Sequence, residues 1–372
     1  MRKPIDIVPP PRQERAVLVG HGHRDGADLP RSMEELRRLA DTAGARVAAE
    51  VVQRRGTPNP ATFVGRGKVG EIKAVVQEHG VEIAIFNDDL APPQVRNLEK
   101  ELGVKVVDRS ELILDIFARR ARTRESRLQV ELAQLEYQLP RLTGMWRHLE
   151  RQAGGIGTRG PGETQLETDR RLVREKIARL KTALKAVERE RETQRRRRRR
   201  EFRAALVGYT NAGKSTLFNA LTRSQVFVED RLFATLDATT RQMVSPERVT
   251  ALVTDTVGFI RKLPHHLVAS FHSTLTEAVE ADLLLHVVDA ADPDRARQMT
   301  AVEGVLEDIL ETPRPQLLVF NKCDLLEPDA AAALRVEFPG CHVVSARTGE
   351  GLDGLRAYLW HRAAERQLGR EA

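Results

Sequence analysis

The sequence predicts an α/β protein in three parts: a small open α/β domain, an antiparallel helical hairpin, and a doubly wound sheet entered through a glycine-rich strand-to-helix turn. Three observations predict it. Short apolar runs alternate with helix-length stretches over residues 15–118. Apolar residues at strict 4-3 spacing then occupy residues 128–149. Finally, a Gly-x-x-x-x-Gly-Lys-Ser turn at residues 208–215 separates an apolar run from a helix-like one.

In the first part, strands are expected at Ala16–Gly20, Arg46–Val52, Ile83–Phe86 and Lys105–Val107, with helices at Ser32–Ala43, Lys68–His79 and Pro92–Leu102. Residues 1–14 form a tail before it. The second part, residues 119–194, pairs a stripe of Leu128, Leu132, Leu135, Leu139, Leu142, Trp146 and Leu149 with a second of Val173, Ile177, Leu180, Leu184 and Val187. Such stripes bury against each other, so the segment reads as an antiparallel coiled-coil hairpin. Pro140 should kink the first arm, since it lacks a backbone donor. The glycine-rich stretch 153–162 is its exposed tip, with Arg151 and Arg159 beside it as candidate RNA contacts. Six arginines, Arg195–Arg200, follow as a linker or a nucleic-acid contact. In the third part, residues 201–365, strands are expected at Ala204–Val207, Leu283–Val288, Leu317–Phe320 and His342–Val344, with a hairpin of Met243–Val244 and Val249–Thr254. Residues 366–372 are a tail.

A chain of 372 residues is long enough for two or three separately buried cores. Its two cysteines, Cys323 and Cys341, give no disulfide framework and fit a reducing compartment. No apolar run reaches the roughly 18 residues of a membrane span, and the first fifteen residues lack an apolar signal core. A cytoplasmic, soluble monomer is expected. The net charge of +7 is unevenly placed. Residues 1–118 hold 18 basic and 18 acidic side chains, residues 119–200 hold 24 and 11, and residues 201–372 hold 18 and 24. The excess positive charge therefore sits in the hairpin, as either a polyanion footprint or a solvated helical surface.

The chemistry lies in the third part. Gly208, Tyr209, Thr210, Asn211, Ala212, Gly213, Lys214 and Ser215 form a phosphate loop in the required strand-loop-helix context. Its amides can cradle a β-phosphate, Lys214 can reach the β- and γ-phosphates, and Ser215 can hold Mg²⁺. Asp255, Thr256, Val257 and Gly258 end a strand, which places Asp255 to bind Mg²⁺ through water and the Gly258 amide to face a γ-phosphate. Asn321, Lys322, Cys323 and Asp324 follow another strand. The Asp324 carboxylate can accept from both N1–H and the 2-amino group of guanine, donors that adenine does not offer. Ser345, Ala346 and Arg347 would supply a backbone amide to the guanine O6. Between these elements lie Phe233, Ala234, Thr235, Leu236 and Asp237. Thr235 is the candidate switch threonine for Mg²⁺, with Thr239 and Thr240 as alternatives. Together these elements predict a P-loop GTPase domain, with Lys214, Thr235 and Gly258 as the catalytic candidates and water as nucleophile. Position 259 is Phe, where Ras-like enzymes carry a water-orienting Gln, so intrinsic hydrolysis should be slow. Asn211 either braces the loop or resembles the asparagine of potassium-activated GTPases, which hold K⁺.

The residues Gly154–Arg171, Phe233–Asp237 and Asp255–Pro264 resemble the HflX GTPases, and the resemblance covers residues 15 to 365. It implies GTP-dependent binding to the large (50S) ribosomal subunit and its rRNA, a hairpin tip reaching the peptidyl-transferase region, ribosome-stimulated hydrolysis, and splitting or rescue of stalled ribosomes. An RNA-processing or assembly GTPase, or a GTP-dependent binding module without turnover, would share the nucleotide motifs. Some members use ATP at the N-terminal domain. Here Gly65-Arg-Gly-Lys68 is either a phosphate site or a helix start. Ala238 stands where the family usually has Pro, and the chain stops soon after a helix at Leu352–His361, so an extended C-terminal domain of some relatives is expected to be absent.

Overall fold

The computed structural model describes residues 13–22, 28–54, 57–142, 161–198, 201–224, 229, 231–262, 277–310 and 312–368. They divide into two compact units, one of residues up to Ile116 and one from Phe117 onward.

The first unit is a parallel four-stranded sheet. Strands β1 (Arg15–Gly22), β2 (Arg46–Arg54), β3 (Ile83–Phe86) and β4 (Lys105–Val107) stand in the order β2-β1-β3-β4. Helices α1 (Leu29–Thr42), α2 (Arg66–His79) and α3 (Pro92–Leu102) are the crossovers that parallel strands require. Val17, Val19, Ala84, Phe86 and Val106 share one core with Ile72 of α2 and Leu98 of α3. The expected elements are all present, with strands β1 and β2 two residues longer at their ends. Helix α4 (Arg109–Arg120) was not among those expected. Its Leu112, Ile113, Leu114, Ile116 and Phe117 are all buried, with Arg109 and Ser110 buried beside them, so the helix is buried almost all round and its buried residues follow no single stripe. A start signal exists nonetheless: the Asp108 carboxylate accepts from the Glu111 amide at 2.9 Å.

In the second unit, helix α5 (Arg124–Gln138) packs against the long helix α6 (Pro161–Arg198). The spacing on α6 is as expected: Val173, Ile177, Leu184 and Val187 are half-buried and Leu180 is buried, while the charged residues between them are exposed. Arg191 pairs with Glu125 and Lys181 with Glu136. Pro140 does not kink α5. The helix ends at Gln138, and Pro140 sits in a 3-10 turn, Leu139–Leu142, that tolerates its missing donor. The tip from Ala153 to Gly160, with Arg151 and Arg159, lies outside the described residues, as do Arg199 and Arg200, whereas Pro161 and Gly162 already belong to α6.

The six-stranded sheet of this unit comprises β5 (Phe202–Gly208), β6 (Thr239–Val244), β7 (Thr250–Asp255), β8 (Leu283–Asp289), β9 (Gln316–Asn321) and β10 (His342–Val343), in the order β10-β9-β8-β5-β7-β6. All neighbours are parallel except β6, which returns antiparallel along β7 and is longer than the two residues expected. Helix α7 (Lys214–Thr222) and the C-terminal helix α10 (Leu352–Leu368) share one core with the sheet. The central strand β5 lies between β8 and β7, so chain order reverses beside its carboxyl end, where a crevice opens in doubly wound sheets. Helices α8 (Arg295–Ile309) and α9 (Pro328–Glu337) complete the crossovers.

Candidate functional site

The carboxyl ends of β5, β7 and β9 bring the predicted motifs together. Strand β5 ends at Gly208, whose φ of 151° and contact with the Val287 carbonyl leave no room for a side chain. The loop then turns through Asn211 at φ 63° and Gly213 at φ 88°, left-handed conformations that bend it back toward α7. A Cβ at Gly213 would run into the Asn321 amide. Lys214 is 6% exposed and folds over the loop, donating from Nζ to the Gly208 and Tyr209 carbonyls at 3.1 and 2.8 Å. Burial pushes its pKa down to about 8, while the Asp255 charge pulls it up.

Ser215 opens α7, and its Oγ lies 2.6 Å from Asp255 Oδ2 and 2.8 Å from Thr235 Oγ1. Three oxygen ligands from three segments thus converge. Asp255 is wholly buried, which raises its pKa, with the Ser215 hydrogen bond and Lys214 acting in the opposite direction. Its Oδ1 has no hydrogen-bond partner among the described residues. A buried carboxylate with an unused oxygen beside two hydroxyls is a donor set that fits Mg²⁺, a hard cation taking oxygen ligands and keeping several waters. Thr235, and not Thr239 or Thr240, meets Ser215. Those two begin β6, where Thr240 Oγ1 pairs across the strands with Thr254 Oγ1 at 2.9 Å.

The Gly258 backbone passes close to the loop: a Cβ there would lie 2.9 Å from Lys214 Nζ. Phe259 is 1% exposed, and its backbone brackets the loop, accepting from Thr210 N at 2.7 Å and donating to Gly208 O at 3.0 Å. Its ring therefore packs in the interior. Thr256 donates to the Leu206 carbonyl at 2.6 Å and Tyr209 Oη accepts from the Arg261 amide at 2.9 Å. Around Lys214 and Ser215 a cavity opens to solvent, lined also by Thr210, Asn211, Thr235, Gly258 and two residues absent from the sequence reading, Glu229 and Arg231. Nothing in their local spacing marks them, because the segment approaches the loop only in the folded chain. Leu236 is 2% exposed, and Asp237 turns to the start of α5.

On the far side, Asn321 Nδ2 donates to the Ala212 carbonyl at 3.0 Å, while its Oδ1 accepts from the Ala346 amide at 3.0 Å. Asp324 Oδ1 accepts from Ser345 Oγ at 2.6 Å, and Lys322 Nζ pairs with Asp289 at 2.6 Å. Of the three residues expected to supply an amide to a base, Ala346 N donates to the Asn321 side chain and Ser345 N to the Glu350 carbonyl. A carboxylate oxygen carries two lone pairs, so Asp324 retains capacity for two further donors. In the first unit, Gly65 caps α2 and Lys68 pairs with Glu71 at 2.6 Å, which is a helix start.

Models of three families match successive stretches: "GTP-binding GTPase N-terminal" at residues 30–118, "GTP-binding GTPase Middle Region" at 120–198 and "50S ribosome-binding GTPase" at 203–322. Fold and site define a GTP-hydrolysing P-loop enzyme. Among curated relatives, the GTPase HflX of Flavobacterium psychrophilum is 51% identical over 84% of this chain and 76% of its own length. Those of Caldanaerobacter subterraneus subsp. tengcongensis and Escherichia coli K12 are 48% and 47% identical, over 96% and 94% of this chain and 82% and 83% of theirs. The chain belongs to the HflX family of GTPases. A solved protein described as the SsGBP and GDP complex shares the fold, with a TM-score of 0.53 and 24% identity over 95% of this chain and all of that one.

Proposed function

We propose that the protein binds the large ribosomal subunit in its GTP state, that the ribosome stimulates hydrolysis, and that the outcome is splitting or rescue of stalled ribosomes. The observation that carries this reading is the chemistry of α6. Its apolar stripe faces α5, while Arg171, Arg174, Arg179, Lys185 and Arg189 are exposed along a segment holding 24 basic and 11 acidic residues. A cationic helical surface in the same compact unit as the nucleotide site suits ribosomal RNA, because each neutralised phosphate releases a counterion. The curated relatives carry the name GTPase HflX, and the family description of a 50S ribosome-binding GTPase agrees with this partner.

In this reading Ser215, Thr235 and Asp255, the last through water, hold Mg²⁺, which supplies positive charge at the phosphates. Lys214 binds the β- and γ-phosphates, the Gly258 amide faces the γ-phosphate, and Asp324 with Asn321 selects guanine. Phe259 cannot orient water, so the ribosome completes the catalytic arrangement. In this reading Asn211, which lines the cavity at a left-handed turn, would help hold K⁺. Two free cysteines and the lack, among the described residues, of any helix long and apolar enough to cross a membrane fit action in the cytoplasm.

The test is steady-state GTP hydrolysis in K⁺ buffer, with and without purified large subunits, for the intact chain and for one whose residues 154–162 are replaced by a short neutral turn. Stimulation that vanishes with the replacement is expected. Absence of stimulation in both rejects the ribosomal reading, and stimulation by immature particles alone redirects it to assembly.

A further inference from the structure

Switch residue Asp237 is tied to the base of the hairpin. Its Oδ1 accepts from Thr123 Oγ1 at 2.6 Å, and its Oδ2 accepts from the Arg122 and Thr123 amides at 3.0 and 3.3 Å. Thr123 is at the same time the N-cap of α5, accepting from the Ser126 amide at 3.1 Å. A carboxylate here receives three donors at the positive end of a helix, the setting in which charge-assisted hydrogen bonds are strongest.

Two more contacts join the same segments. The Phe233 ring stands edge-on to that of Phe117, centroids 4.7 Å apart and both rings 2% exposed, and Glu229 pairs with Arg120. Residues 229–237 are thus fastened at three points to residues 117–123, all within the second unit. Thr235 lies between the second and third fastenings, its hydroxyl 2.8 Å from Ser215. One residue separates Thr235 from Asp237, a span of at most about 7 Å, so the place of Asp237 limits where the Thr235 hydroxyl can reach.

We propose that the hairpin base, through Thr123 and Asp237, positions Thr235 for hydrolysis, so that displacing the hairpin alters the rate of GTP cleavage. Thr123 and Asp237 are positioning residues, acting through Thr235 without touching nucleotide. The proposal rests on reading Thr235 as the switch threonine. It gives the ribosome-stimulated reading a physical route: a load on the hairpin arrives at the start of α5, where the switch segment is fastened.

The test uses the full chain and five variants: Thr123→Val, Thr123→Ser, Asp237→Asn, Thr235→Ala and the double variant of Thr123→Val with Asp237→Asn. GDP affinity is measured with a fluorescent analogue, and kcat and KM for GTP are measured separately. Thr123→Val and Asp237→Asn should each lower kcat about tenfold or more, the scale of one lost charged hydrogen bond, with GDP affinity and KM little changed. Thr123→Ser, which keeps the hydroxyl, should restore most of the rate. The double variant Thr123→Val with Asp237→Asn should lose less than the sum of the two single losses, because both remove the Thr123 Oγ1–Asp237 Oδ1 bond. Normal kcat in Thr123→Val and Asp237→Asn, with Thr235→Ala impaired, overturns the proposal alone. Normal kcat in Thr235→Ala overturns the reading beneath it. Parallel loss of GDP affinity, or additive losses in the double variant, also overturns it, since the residues would then support the fold generally.

Discussion

The Asn321 side chain bridges two loops, donating to Ala212 of the phosphate loop, 109 residues earlier in the chain, at 3.0 Å and accepting from Ala346, 25 residues later, at 3.0 Å. Asn321 is 2% exposed, so the amide is a buried strut. Replacing it with alanine leaves a buried carbonyl and a buried amide without partners, at about 1–3 kcal/mol each. Asn321→Ala is expected to weaken GTP and GDP alike by at least about tenfold, as measured by titration with a fluorescent nucleotide, and to lower the melting temperature.

Base selection turns on Asp324. An Asp324→Asn variant replaces one acceptor oxygen by an amide N–H donor where guanine itself offers donors, so GTP affinity should fall by about a hundredfold or more. Xanthosine triphosphate, with a carbonyl in place of the 2-amino group, should gain. Competition between the two nucleotides in an equilibrium binding assay reads both changes. An unaltered preference would mean that Asp324 does not contact the base.

Lys214 gives the site a pH dependence of definite sign. Burial holds its pKa at about 8 in the free protein, and a bound triphosphate stabilises the ammonium and raises it. The affinity contributed by the charge is complete below pH 8 and is lost as pH rises from there toward the bound-state pKa, by at most about tenfold per unit for one proton. GTP titrations at pH 7, 8.5 and 9.5 check this, and Lys214→Ala should remove both the affinity and its slope.

Gly213 combines a φ of 88° with a Cβ direction aimed at the Asn321 amide. Gly213→Ala therefore carries a left-handed penalty of about 1–2 kcal/mol in addition to a steric one. Nucleotide binding should be lost while far-UV circular dichroism stays close to that of the parent, since the strain is confined to the loop. Gly304→Ala, in α8 with open space around its Cβ direction, serves as the control and should bind normally.

What was legible in the sequence was what neighbouring residues enforce. The phosphate loop, the Asp255 turn and the Asn321 turn each follow an apolar strand, so motif and strand context together marked where those turns begin. The hairpin stripe was legible too, because Val173, Ile177, Leu180, Leu184 and Val187 share one helical face by spacing alone. Helix α4 was missed because it is buried almost all round and loses its period, although the Asp108–Glu111 cap offered a signal. The folded chain alone decided the matters that depend on distant partners. It chose Thr235 over Thr239 and Thr240, drew Glu229 and Arg231 to the cavity, and turned Asp237 toward Thr123, 114 residues earlier in the chain. Local sequence fixes which side chains a turn presents, whereas the partner of a buried hydroxyl or carboxylate is set by long-range packing, and no spacing rule carries that information.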